Sequence, residues 1–474
     1  MRWTLLVLFI LITRLHGCNI SCDELYVINC TTFCAVSLNT ALFFVQLWSN
    51  GAYLGYIAQI IVQFLVNIAL LFVQLYVHLQ QIMSLMESLI NKYRYILAQT
   101  STDFMRYLHD QIDWNARLIA ILGSRGVGKT TMLLQHIKLH DDPLTSLYIS
   151  ADDLYFTNHR LTDLAQTFFQ NGGKKLYIDE VHKYENWSTE IRNIYDFLPQ
   201  LQIVYTGSSI LDLEKGGGDL SRRKLQYYLH GLSFREYLKM KYQVDVPVFS
   251  FEDVLQGKAT LPVDLRPVAL FKEYLRNGYY PFFIEQNSLT RLDAIINQTL
   301  ENDIPAFAHI NVSTALKVKR LLYIIAQSVP FKPNFTKLAA ELGISRNVIN
   351  DLFVYLEKSN MITMLRTDTQ GVKLLGKVDK VYLNNTNIAY ALSDSTPDIG
   401  NIRETAFLMS TRATLHTLSS SVSDFYIAPY TFEVRGVNKT RKQVAGIDNA
   451  YIVKDDIEYS ALRTLPLWSF GLLY

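Results

Sequence analysis

The stretch Gly123-Ser-Arg-Gly-Val-Gly-Lys-Thr130 constrains this chain more than any other. It fits the pattern G-x-x-x-x-G-K-[ST], and its flanks fit as well. Arg117-Leu-Ile-Ala-Ile-Leu122 is a short apolar run that reads as a buried strand. Thr130-Thr-Met-Leu-Leu-Gln-His-Ile-Lys138 places apolar residues at helical spacing. A strand, a glycine-rich turn and a helix in that order make a phosphate cradle. The glycines let amide N–H groups point inward, and the helix N-terminus adds the positive end of its dipole. The cradle comprises Gly123, Ser124, Arg125, Gly126, Val127, Gly128, Lys129, Thr130 and Thr131. Lys129 is expected to reach the β- and γ-phosphates of ATP, and the Thr130 hydroxyl to take a place on Mg²⁺.

Further along, Lys174-Lys-Leu-Tyr-Ile-Asp179-Glu180 is an apolar strand ending in two carboxylates, the form of a Walker B strand. Asp179 is expected on the metal and Glu180 on the attacking water, because phosphoryl transfer depends on positioning and electrostatics. Gln202-Ile-Val-Tyr-Thr206-Gly-Ser-Ser209 is another apolar strand with a small polar end. Thr206 and Ser208 are its candidates for sensing the γ-phosphate and orienting water, although such a run is also ordinary turn chemistry. In Asp219-Leu-Ser-Arg222-Arg223, either arginine could serve as a finger toward a neighbouring subunit; a surface arginine pair reads equally well.

These segments together carry a resemblance. Asp179-Glu-Val-His-Lys-Tyr-Glu-Asn-Trp187, Thr206-Gly-Ser-Ser209, Ser221-Arg-Arg223, Leu232-Ser-Phe-Arg-Glu236, Gly278-Tyr-Tyr-Pro281 and Thr431-Phe-Glu-Val-Arg-Gly436 are similar to a family of prokaryotic AAA+-type ATPases. Its members carry a C-terminal domain resembling PD-(D/E)XK nucleases. The similarity runs from about Leu89 to Tyr474. It implies an ATPase, and a homo-oligomer with sites between subunits, and it leaves the cellular role open.

The expected fold is α/β: a P-loop NTPase, AAA+-like parallel sheet with a helical lid, a winged helix and a C-terminal α+β nuclease-like domain. Strands alternating with helices imply a parallel sheet with the nucleotide at its carboxyl edge. A leading helix is expected over Tyr95–Gln111, with strands at Ser146–Ser150, before Asp179 and around Val204, and helices at Leu161–Gln170 and Ile191–Leu198. The ATPase domain is assigned to 86–238, the mainly helical lid to 239–330, the winged helix to 331–383 and the nuclease-like domain to 384–474. At 474 residues, a prior of about three domains agrees.

Residues 1–85 are a different kind of sequence. Met1-Arg-Trp-Thr-Leu-Leu-Val-Leu-Phe-Ile-Leu-Ile12 has the basic start and apolar core of a signal peptide, with His16-Gly-Cys18 as a cleavage region. No Asp, Glu, Lys or Arg occurs from Leu25 to Met86, and Tyr53–Val77 is long enough to span a bilayer. Lys92 and Arg94 would then place the ATPase on the cytoplasmic side. Cys18, Cys22, Cys30 and Cys34 all lie here, as an extracellular disulfide pair would. The competing account is a misplaced start codon, with Met83 or Met86 as the natural start, a cytoplasmic protein and no membrane contact. Both accounts stay open; a zinc site from the cysteine pairs fits less well, since structural sites sit in polar, foldable modules.

The net charge of +2 is too small to argue for nucleic acid by itself. The histidines look scattered, with no metal-ligand spacing. DNA contact, if any, is expected through 345–358. There Arg346, Asn347 and Asn350 suit base or phosphate contact, while Asp351 and Glu357 on the same helix oppose it. In the C-terminal region Asp424, Glu433 and Glu404 are candidate nuclease carboxylates, but the lysine position holds Arg435. Arginine stays protonated and cannot tune its pKa, which argues for a degenerate nuclease fold. The sequence therefore points to Mg²⁺-dependent ATP binding and hydrolysis driving a conformational switch, on DNA in one version. The alternatives are a nucleotide-gated DNA- or protein-binding module with little turnover, and a membrane-tethered ATPase.

Overall fold

The computed structural model describes residues 86–207, 220–308, 310–367, 378–393, 396–436 and 446–474, with isolated residues 64, 67, 68 and 71 before them. The rest of the apolar extension with its cysteines, and Ser208, Ser209 and Gly371, lie outside the described residues. Among the described residues, no helix is long and apolar enough to cross a membrane. The chain divides into two compact units, Met1–Asn91 and Lys92–Tyr474. In the first, residues 86–91 are helical.

In the second unit the leading helix is shorter than expected. Helical residues end at 99, and only a 3-10 turn, Tyr107–Gln111, follows. Ser101 and Asp103 explain the break. The Ser101 hydroxyl donates to Asp103 Oδ2 (2.8 Å) and accepts from the Asp103 amide (3.1 Å), giving the backbone a local alternative to the helix.

A parallel sheet follows, built from β1 (Leu118–Leu122), β2 (Ser146–Ser150), β3 (Lys175–Asp179), β4 (Gln202–Gly207) and β5 (Leu225–Tyr228), in the order β2-β3-β4-β1-β5. Helices α1 (Lys129–His140), α2 (Leu161–Gln170) and α3 (Trp187–Phe197) make the crossovers that parallel strands require. Every residue of β1 is buried, which is why its sequence is an unbroken apolar run rather than an alternating one. Each buried leucine or isoleucine contributes on the order of 1.5–3 kcal/mol. Strand β5 was not anticipated: it is an edge strand, and Leu225 and Gln226 are exposed, so its apolar signal is weak. Helices on a mostly buried parallel sheet with this loop define the P-loop NTPase fold, α/β overall.

The next stretch is helical: α4 (Phe234–Tyr242), α5 (Phe251–Leu255), α6 (Pro267–Asn277), α7 (Ser288–Gln298), a π-helical turn Thr299–Asp303, α8 (Ile304–Ala308) and α9 (Val312–Gln327). Then α10 (Phe335–Leu342) ends at Gly343 in the left-handed conformation, and α11 (Arg346–Lys358) starts on the Ser345 cap. An antiparallel pair follows, β6 (Ile362–Arg366) with β7 (Val378–Leu383). Ile349, Leu352, Phe353 and Leu356 of α11 are buried as a single apolar face.

After α12 (Thr386–Leu392) and α13 (Ile399–Thr411), a second sheet closes the chain. It comprises β8 (Leu418–Ser419), β9 (Phe425–Ile427), β10 (Tyr430–Arg435), β11 (Ala450–Lys454) and β12 (Thr464–Pro466), with α14 (Leu467–Phe470) after it. Strands β10, β11 and β12 run parallel, and β8 and β9 are antiparallel additions.

Candidate functional site

The loop between β1 and α1 takes its shape from glycines that nothing larger could replace. A Cβ on Gly123 would meet the Leu229 carbonyl oxygen at 2.3 Å. Gly126 has φ +84°, and a Cβ there would lie 2.8 Å from the Phe282 ring. Ser124 and Val127 are buried, Arg125 and Gly128 are partly exposed, and Thr131 is exposed. Lys129 is buried at the first position of α1, and its Nζ donates to Gly123 O and Ser124 O, both at 2.9 Å. Burial pushes the ammonium down to about 8, against the opposing pull of the Glu180 and Asp179 carboxylates.

Asp179 reaches the same point from the end of β3. Thr130 Oγ1 donates to its Oδ2 at 2.5 Å, Tyr148 OH donates to the same oxygen at 3.0 Å, and Thr206 Oγ1 donates to Oδ1. The first turn of α1 and strands β2 and β4 thus hold one buried carboxylate. The Thr206 hydroxyl also accepts from the Glu180 amide at 3.2 Å, so here it positions the two acids. Glu180 itself sits at φ 52°, ψ 40°, a left-handed turn that ends β3. One hydroxyl and one carboxylate are hard oxygen donors, which is what Mg²⁺ takes, so the pair Thr130 and Asp179 fits the ion.

His182 was not foreseen. Its side chain is 1% exposed, and its Nε2 lies 3.4 Å from Glu180 Oε2. Burial first, and then the Lys183 ammonium, hold the imidazole down to about 4. Its folded pKa lies below the unfolded value near 6.5, so the unfolded chain binds the extra proton between those limits. The associated stability is full above about pH 6.5 and is lost as pH falls toward 4, with a slope of about 1.4 kcal/mol per pH unit. Thermal unfolding followed from pH 7 to pH 5 should therefore show a falling midpoint, and His182→Gln should make the fall shallower, the buried His136 and His230 keeping the rest. An identical slope in the variant would contradict this assignment.

Arg106 was also missed, because it belongs to no motif. Its guanidinium is buried and donates to Glu236 (2.8 and 3.0 Å), Val127 O (2.5 Å), His230 O (2.8 Å) and Gly231 O (3.0 Å). Glu236 belongs to the Leu232–Glu236 run, where it also closes a capping box with Ser233. One cation therefore ties the phosphate loop to that motif. Arg106→Met leaves a buried carboxylate and loop carbonyls without their donor, and the expected loss is about 3–5 kcal/mol. An unfolding midpoint equal to wild type in a urea titration would rule that brace out.

The helical segment covers the loop. Phe282 sits against Gly126, and Pro281 approaches Gly128. Asp303, with a side chain 6% exposed, pairs with Lys183 at 3.0 Å and Arg125 at 3.5 Å. The arginine candidates separate: Arg223 makes two 3.1 Å bonds to Asp196 of the same chain, and Arg222 is exposed.

On α11, Arg346, Asn347, Asn350 and Asp351 are exposed. Glu357 instead turns back onto the hairpin, taking bonds from Met364 N (3.0 Å) and Arg366 (3.1 Å). In the C-terminal sheet, Arg435 folds onto Glu433, Lys380 pairs with Asp424 at 3.6 Å, and Tyr382 OH donates to Glu404 at 2.8 Å. All three acids thus already carry protein partners.

Fold and loop together are those of a P-loop NTPase, and this part of the chain is similar to AAA-type ATPases. Residues 115–238 match the family model described as "AAA domain", and residues 268–398 match the Domain of unknown function (DUF8612). An uncharacterized protein of Methanocaldococcus jannaschii is 27% identical over 266 residues, 52% of this chain and 56% of that protein. The chain thus spans little more than half the length of that curated relative. Among solved structures, a Walker-type ATPase of Pyrococcus abyssi is 15% identical with a TM-score of 0.35, over 59% of this chain and 91% of that one. Brucella abortus NtrX, solved with ADP, is 14% identical with a TM-score of 0.24, over 63% of this chain and 76% of that one.

Proposed function

We propose that this chain binds and hydrolyses ATP with Mg²⁺ and uses the nucleotide state to rearrange its helical lid against the phosphate loop. The observation that carries this reading is the 2.5 Å meeting of Thr130 Oγ1 with Asp179 Oδ2 beside the buried Lys129 ammonium. Lys129 would exchange its two loop carbonyls for phosphate oxygens. Thr130 and Asp179 would hold the metal, which would supply positive charge to offset the negative charge that develops on the phosphoryl group. Glu180, steadied by His182, would polarise the attacking water. The switch is supported by Asp303: it neutralises Arg125 of the loop and Lys183 beside Glu180, and a triphosphate would compete for those cations.

Within a homo-oligomer, exposed Arg222 is the better finger candidate, since Arg223 is held by Asp196. A winged helix over 331–383 acting on DNA is a second reading. It is favoured by the withdrawal of Glu357 from the exposed face that carries Arg346, Asn347 and Asn350. The nuclease-like sheet would then serve packing or recognition. The test is phosphate release by the full chain with Mg²⁺ and ATP, wild type beside Glu180→Gln, with and without duplex DNA. Turnover lost in the variant supports the enzyme, and DNA stimulation supports the second reading. Equal release from both proteins would overturn the assignment of Glu180.

A further inference from the structure

At the far end of α1 the fold gathers histidines that look scattered along the chain, correcting the expectation of no metal-ligand arrangement. His136 and His140 are one helical turn apart on the same face of α1, and His109 comes from the 3-10 turn Tyr107–Gln111. One ring nitrogen from each lies within 4.8 Å of the others. His109 Nε2 faces His136 Nδ1 at 3.1 Å. Tetrahedral ligands at 2.0–2.1 Å from zinc stand about 3.3 Å apart, so this pair is nearly at ligand spacing.

The tautomers make the case. His109 Nδ1 lies 3.0 Å from Asp110 Oδ1, and an ionised carboxylate only accepts, so the ring proton sits on Nδ1 and Nε2 presents a lone pair to His136. His136 then has two neutral choices. With its proton on Nδ1, it satisfies His109 but turns a bare Nε2 toward the Asp141 carboxylate at 4.0 Å. With its proton on Nε2, it suits Asp141 but sets two lone pairs against each other at 3.1 Å. Asp141 is itself fixed, by Lys175 at 2.5 Å and by Tyr177. His136 Nε2 is buried and has no hydrogen-bond partner in the first arrangement. Either neutral form leaves a repulsion that a cation between the rings removes.

We infer that His109, His136 and His140 form a binding site for a divalent late transition-metal ion, Zn²⁺ in the first instance. Three imidazoles suit zinc and its neighbours, whereas Mg²⁺ and Ca²⁺ prefer oxygen. Asp110 supplies a carboxylate that orients His109 from behind, and Asp141 adds negative charge 4.0 Å from His136 Nε2. Trp114, stacked on His136 at 3.7 Å, fixes that ring, while exposed His140 leaves the fourth position open to solvent. The C-terminal end of α1 adds negative potential from its last carbonyls. The ion would staple the turn before β1 to the helix whose other end carries Lys129, about 18 Å away.

The test is titration of the untagged, metal-free full chain with Co²⁺, read by the intense visible absorption of tetrahedral cobalt, and with Zn²⁺ by calorimetry. The expected result is one tight ion per chain. His140→Ala, an exposed substitution that the fold tolerates, should weaken binding at least tenfold. Asp110→Asn, which alters only an orienting group, should weaken it roughly 10–100-fold. Zn²⁺ should also raise the thermal midpoint of wild type and not that of His140→Ala. Absence of tetrahedral cobalt absorption at millimolar Co²⁺ would overturn the site, as would full binding retained in His140→Ala. Neither readout depends on ATP turnover.

Discussion

Lys129→Ala is expected to lower affinity for ATP by two orders of magnitude or more. The lysine is 4% exposed and held between two carbonyl oxygens, a costly place for an ammonium, as its depressed pKa near 8 records. Such a group is kept when an anion arrives to complete it. Removing it deletes charge-assisted bonds of about 1.5–3 kcal/mol each, and every 1.4 kcal/mol is a factor of ten. Calorimetry of the full chain with ATP and Mg²⁺ reads the result. Wild-type affinity in the variant would remove the phosphate-loop assignment and, with it, the proposed ATPase. The histidine site would be untouched, because it rests on other residues at the other end of α1.

Glu180→Gln should behave oppositely, keeping ATP affinity while turnover falls about 10²–10³-fold. Glutamine keeps the size and the left-handed turn at φ 52°, so the loop and Asp179 stay in place. It loses the negative charge that draws a proton from water, an effect typically worth 10²–10⁴. Phosphate release measured at saturating ATP separates this from a binding defect. A variant that turns over normally would move the water-polarising role elsewhere. A variant that fails to bind would mean that Glu180 shapes the loop rather than the chemistry.

Much of this site was legible in the residues because a phosphate loop is a local device. The strand before Gly123, the helix from Lys129 and the apolar run ending at Asp179 are each written in a short window. Helix α2 falls on Leu161–Gln170, the range its periodicity predicts. The supporting shell was not legible. Arg106 precedes the loop by a stretch with no motif, and its value comes from meeting Glu236, 130 positions away. Tyr148 and Thr206 reach Asp179 from neighbouring strands, and only the β2-β3-β4 order makes them neighbours.

By itself, the sequence determined the phosphate loop, the acid pair at the end of β3 and the alternation of strand and helix. Backbone conformation and apolar periodicity act over a few residues, and glycine, lysine and carboxylate positions can be read within that range. Only the tertiary structure decided which carboxylate each cation meets. It placed Asp303 between Arg125 and Lys183, and brought His109 to within 3.1 Å of His136. Those pairings depend on burial and on distances between segments remote in the chain. There, an unpartnered charge or ring nitrogen costs far more than it does in water, and no local pattern records which partner the fold will supply.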